Sequence, residues 1–156
     1  MAAFTGTPAS TKQYFDQLNR VPESFSLANL RGKTVNYVHA LGAGTGAVNL
    51  YKLPAGQIRL LTNLCNFTAS QFAANAVLSL GYREYVDAAG DTQAEDDNAF
   101  LSALDVAAGA TTKTYLALPT AGFIDFNSAS GVVIFATIGT GNIEDGDTLQ
   151  TKLYWV

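Results

Sequence analysis

Val48-Asn49-Leu50-Tyr51-Lys52-Leu53-Pro54-Ala55-Gly56-Gln57-Ile58-Arg59-Leu60-Leu61-Thr62-Asn63-Leu64 is the stretch from which the fold class is read. From Gln57 onward it alternates. Ile58, Leu60, Thr62 and Leu64 share one side, and Gln57, Arg59, Leu61 and Asn63 the other. A period of two over eight residues predicts a strand, because successive side chains leave a strand on opposite faces. In the preceding run Val48 and Leu50 oppose Tyr51 and Leu53, so apolar residues fall on both faces, as in a strand packed on two sides. Pro54 has no ladder donor and Gly56 tolerates a positive φ, so Pro54-Ala55-Gly56 reads as a turn or a corner between strands.

Further strands are expected on either side. Thr34 to Leu41 places Val35, Tyr37, His39 and Leu41 on one face. Ala76 to Tyr82 alternates, Thr111 to Leu118 is rich in Thr and Tyr, and Gly122 to Phe126 is short. Val132 to Ile138 is apolar and β-branched, as a central strand should be, with Gly139-Thr140-Gly141-Asn142 as the turn after it. Thr148 to Val156 alternates again. Phe67 to Asn75 reads as a helical turn or a loop. About eight strands with Gly-rich turns predict an all-β protein, an antiparallel, jelly-roll-like β-sandwich.

Two regions depart from this pattern. Residues 1 to 33 are broken by Gly6, Pro8 and Pro22 and carry four cations against two carboxylates, a net of +2, which leaves −6 for the rest of a chain at −4. They read as an N-terminal arm, with the β-sandwich domain at residues 34 to 156. Phe4, Tyr14, Phe15 and Phe25 are the candidate assembly contacts on this arm, because aromatic side chains are costly to leave in water and anchor interfaces. The second region, Glu84 to Asp105, holds seven of the thirteen acids. It reads as an exposed acidic loop containing one short helix from about Asp97, with Phe100 and Leu104 on one face and Asp96 and Asp97 in its first turn.

The chemistry-bearing motifs are few. Gly42, Gly44 and Ala47 satisfy a loose dinucleotide fingerprint, but a strand with Pro54 follows where a helix is required. His39 is the sole histidine, so a multi-imidazole metal site cannot be assembled, and with no G-x-S-x-G elbow serine-hydrolase chemistry is not expected; sharing a face with Tyr37 and Leu41, His39 reads as a packed or interfacial residue. The acids of residues 84 to 105 do not follow the calcium-loop spacing. Cys65 is the sole cysteine and adjoins an apolar run, which predicts a buried thiol. Asn66-Phe67-Thr68 spells a glycosylation site, without meaning where no signal peptide is read. No catalytic residue, metal or cofactor is therefore expected, and the chain is not read as an enzyme. A negative chain with no run near ~18 apolar residues is expected to bind neither nucleic acid nor membrane.

The segment Tyr51-Lys52-Leu53-Pro54-Ala55-Gly56-Gln57-Ile58-Arg59-Leu60 resembles one found in small β-rich proteins of tailed bacteriophages. So does Leu80-Gly81-Tyr82-Arg83-Glu84-Tyr85, with the acidic loop and Asp97-Asn98-Ala99-Phe100-Leu101 that follow. Across residues 46 to 138 the chain is similar to head decoration, or cement, proteins. The resemblance implies a virion protein made in a bacterial cytoplasm, bound to the major capsid protein on the outer capsid surface and bridging capsomers, with itself as a further partner in a homotrimer. It implies no functional residue by position. The rival expectation is a carbohydrate- or receptor-binding jelly-roll module of a phage fibre or tail.

Overall fold

The computed structural model describes residues 29–107, the backbone of 114–115, and residues 121–156. The arm's candidate contacts Phe4, Tyr14, Phe15 and Phe25 lie outside the described residues, as does most of the segment 111–118. Twelve strands are described: β1 (Arg31–Val38), β2 (Gly44–Leu53), β3 (Gly56–Leu60), β4 (Asn66–Ala69), β5 (Val77–Tyr82), β6 (Tyr85–Val86), β7 (Thr92–Gln93), β8 (Asp96–Asp105), β9 (Thr114–Tyr115), β10 (Ile124–Ser128), β11 (Val132–Ile143) and β12 (Thr148–Trp155).

They form an antiparallel β-sandwich. One sheet runs β10-β3-β12-β4-β9 with β1 also on β12, the other runs β2-β11-β5-β8, and β6 and β7 make a separate hairpin. The core lies between the two larger sheets. Leu60, Phe67, Leu149, Leu153 and Trp155 come to it from the first, and Leu53, Leu78, Leu80, Phe100, Ile134 and Ile138 from the second. Tyr51 and Trp155 meet across the gap with ring centroids 5.7 Å apart. In β12 the odd-numbered residues from Leu149 to Trp155 are buried and the even ones half-buried, as period two requires.

The quoted stretch is a corner. β2 and β3 belong to different sheets, and the chain turns between them at Pro54-Ala55-Gly56, where Gly56 takes φ +103°. A side chain at that φ would be strained, and glycine has none. Inside β2 the pairing with β11 slips by one residue: Ile134 faces Tyr51 and Phe135 faces Asn49, leaving Leu50 as the extra residue. Such a bulge explains why apolar residues appeared on both faces of this run.

Several expectations are corrected. The acidic segment contains no helix, because residues 96–105 form β8 on the edge of the four-stranded sheet. A spacing of four, as from Phe100 to Leu104, is even and so reads as one face of a strand as well as of a helix. The pairing of β8 with β5 then shifts twice, which blurs the alternation. At one shift Ala103 takes φ +48° and its N–H bonds the Ser79 hydroxyl at 3.0 Å. Nor is residues 84–105 exposed throughout, since Phe100 is fully buried.

Phe67 to Asn75 starts as a strand, because residues 66–69 pair with β12 as β4. Gly139 to Asn142 is not a turn but part of β11, where an irregularity absorbs the extra residues. Conversely, the alternation after Gln57 stops at Leu60: a turn closed by Leu64 N–H to the Leu61 carbonyl at 2.9 Å leaves Leu61 buried and Leu64 exposed. Leu60, Leu78, Leu80, Ile134 and Leu153 are buried, and Ile58 is half-buried against them.

Candidate functional site

A cleft of about 440 Å³ opens where β1 runs into β2. Tyr37 and His39 form one wall, Gly42 to Asn49 a second, and Ile138 and Ile143 of β11 part of the floor. β1 belongs to one sheet and β2 and β11 to the other, so the cleft is a gap between sheets at their margin. No charged side chain lines it. Leu41 also lines it, and Leu41 and the nearby Val38 of β1, with 86% and 60% of their surface exposed, are the most exposed large apolar residues described.

His39 organises the wall. Its side chain is buried, with Nδ1 2.9 Å from the Tyr37 hydroxyl and Nε2 2.7 Å from the Gly42 carbonyl. A carbonyl only accepts, so Nε2 donates to it and Nδ1 accepts from Tyr37. The backbone is fastened as well. His39 N–H donates to the Asp147 carbonyl at 2.8 Å, Gly146 N–H donates to the His39 carbonyl at 2.9 Å, and Gly42 N–H donates to Asp145 Oδ1 at 2.7 Å. Asp147 Oδ2 in turn accepts from Glu144 N–H at 2.8 Å. The two ring nitrogens tie His39 to Tyr37 and to the loop at Gly42, and its backbone N–H and carbonyl tie it to the 144–147 turn. Of the packed and interfacial roles that its position beside Tyr37 suggested, the fold shows a packed ring. Leu41, expected on the same face, instead points to solvent, because β1 ends at Val38 and the loop turns away.

The acidic segment is held by its own backbone. Asp87 Oδ1 accepts from the N–H groups of Ala89 and Asp91, both at 2.9 Å, and Oδ2 from the Gln93 side chain at 2.9 Å. The Asp91 N–H foremost, with Gln93, Ala89 and Gly90, holds the Asp87 carboxyl below the usual carboxylate range. Among the described residues no group of three or more His, Cys, Asp or Glu is placed to hold a metal ion. On the outer face of the other sheet Arg59 donates two bonds of 2.7 Å to Asp125, its register partner, and lies over the Phe123 ring at 4.1 Å. The Arg59 side-chain bond holds the Asp125 carboxyl low. Cys65 is fully buried, and burial pushes its thiol up to about 11 although the Tyr154 backbone opposes this. Such a thiol is poorly nucleophilic.

The sequence had pointed to the glycines of residues 42–46 only as a failed nucleotide motif. The cleft they line was not anticipated. Its one local signal was the uncharged run from Val35 to Tyr51, broken by three glycines.

No family model matches the chain, and no curated protein matches it. Among solved structures, a chain of the cyanophage Pam1 capsid asymmetric unit is similar with a TM-score of 0.54 and 15% identity, over 81% of this chain and 84% of that one. A chain from the acidic stable capsid structure of Helicobacter pylori bacteriophage KHP30 aligns with a TM-score of 0.44 and 19% identity, over 81% of this chain and 94% of that one. At 15% identity the first likeness is one of fold: this sandwich is built like a chain of the Pam1 capsid asymmetric unit.

Proposed function

We propose that this chain is a structural protein of a tailed-phage virion, of the head decoration type, bound to the major capsid protein on the outer surface. The observation that carries the reading is the fold likeness to a chain of the Pam1 capsid asymmetric unit over most of both chains. The charge-poor composition supports it: 14% charged residues leave a largely neutral surface suited to contact with neighbours. In this reading the sandwich is a rigid block that bridges capsomers, three copies together, and adds contact area opposing their separation. It assigns the chain no catalytic activity, cofactor or metal.

A second reading has one observation in its favour. The uncharged cleft with Tyr37, His39 and Asn49 would suit a neutral sugar of a host surface, as in a fibre or tail module. Copy number separates the two. Quantitative mass spectrometry of purified virions, with the protein located by electron microscopy, should give hundreds of copies on the head exterior. A few dozen copies or fewer, located on the tail, would overturn the decoration reading in favour of the second.

A further inference from the structure

The two edges of the four-stranded sheet are built differently. β8 carries Asp96, Asp97 and Asp105, and its pairing with β5 is interrupted twice. Charged residues and bulges are devices that keep an edge strand from pairing with another chain. β2 has no charged residue from Gly44 to Tyr51. β11 pairs with one side of it, and among the described residues no strand pairs with the other. Thr45, Gly46, Ala47 and Asn49 are exposed along it, and Val38 and Leu41 lie near its start. One edge is guarded by charge and the other is left open.

We propose that β2 is an association edge, on which two copies of this chain pair β2 to β2, antiparallel about a twofold axis, to make one continuous eight-stranded sheet. Charge selects a second copy as the occupant. Pairing residues 44–52 with the same residues of the other copy sets Val48 against the other copy's Val48, because a twofold antiparallel ladder centres on a residue that faces itself. It carries the exposed Lys52 to the other copy's Ala43–Gly44 end. At that end Gly42 N–H is held by Asp145, so the 144–147 turn stands beside the strand with Glu144 and Asp145 exposed. Lys52, Glu144 and Asp145 form no ion pair among the described residues. Self-pairing therefore matches a cation with two acids, and the twofold axis repeats the match. A parallel pairing puts Lys52 beside Lys52 and loses it. The exposed Leu41 sits at the same corner, where the other copy's exposed Pro54 arrives.

The inference goes beyond the virion reading and is tested without phage. If three copies assemble together, this contact joins one trimer to the next. Sedimentation of the purified full chain should give a mass that is an even multiple of 16.5 kDa. Ala47→Lys, a charge on the exposed edge, should halve that mass while the melting temperature holds. Lys52→Glu should weaken the association about tenfold, and Lys52→Glu with Glu144→Lys should restore it, since two exposed ion pairs are at stake. If Ala47→Lys fails to fold, the charge swap decides alone. A wild-type monomer or trimer, a mass unchanged by the Ala47 and Lys52 variants, or a swap that restores nothing would overturn the proposal.

Discussion

The guanidinium of Arg83 lies over the ring of Phe135, 3.9 Å from its centroid. Phe135 is on the outer face of β11, opposite Gly81 and Asn49, yet only 1% of it is exposed. Arg83 helps to cover it and is itself held by Asn49 at 3.1 Å and Glu95 at 3.0 Å. The link between β7 and β8, which bears Glu95, is thereby tied to the sheet. Arg83→Ala should uncover the ring and free Glu95, at a cost of about 1–2 kcal/mol, because a partly exposed cation–π contact and a partly exposed ion pair each contribute modestly. Urea unfolding of the two proteins measures this. A loss too small to detect would mean that the rest of the sheet covers Phe135 unaided.

Gly81 lies under the start of β8. A Cβ built on it would overlap the Asp96 carbonyl oxygen and sit 2.6 Å from the Asp97 carbonyl carbon. Both are backbone atoms and cannot swing aside, so Gly81→Ala must push β8 off the sheet. The expected cost is about 3 kcal/mol, with earlier amide exchange in residues 96–101 than elsewhere. Exchange that quickened evenly over the chain would place the strain elsewhere.

Leu60 joins three strands. It is fully buried, faces Ile124 of β10 on one side and pairs with Trp155 of β12 on the other. Leu60→Ala should cost about 2–5 kcal/mol, the transfer of the removed atoms plus the cavity they leave. A change below about half a kcal/mol would contradict the position given to β3.

Asp87 links the hairpin of β6 and β7 to pH. Its folded pKa is lowered, so it contributes stability above its unfolded value, and that contribution is lost as pH falls through the lower folded value. Asp125 behaves alike through Arg59. Thermal melts should therefore lose ground from about pH 4 downward, the usual carboxylate value. Asp87→Asn should melt lower at neutral pH and show a shallower acid slope. Equal slopes for both proteins would remove Asp87 from the account.

Cys65 should be silent in the fold. Its thiol is fully buried, pushed up to about 11, and contacted by the Tyr154 N–H at 3.3 Å. At pH 8 a thiol reagent should label the native chain only at the rate of unfolding and label it at once in denaturant. Fast labelling of the native chain would mean that the Leu61–Cys65 turn opens on its own.

The sequence alone determined the kind of structure and much of its inside and outside. Alternation along Thr148–Val156 and Ala76–Tyr82, the apolar run Val132–Ile138 and the break at Pro54-Ala55-Gly56 report local preferences, and β12, β5, β11 and the corner follow them. Which strand lies beside which was decided only by tertiary structure. β2 and β3 are three residues apart and never pair, because β11 takes one and β10 and β12 the other. Phe100 and Leu104 were compatible with helix or strand until β5 offered its ladder. His39 read as a packed or interfacial histidine, while the turn that engages its backbone lies about a hundred residues away. A side-chain period records which face a residue prefers. Backbone hydrogen bonds between distant segments fix where a strand ends and what it adjoins, and no local stretch of sequence carries that information.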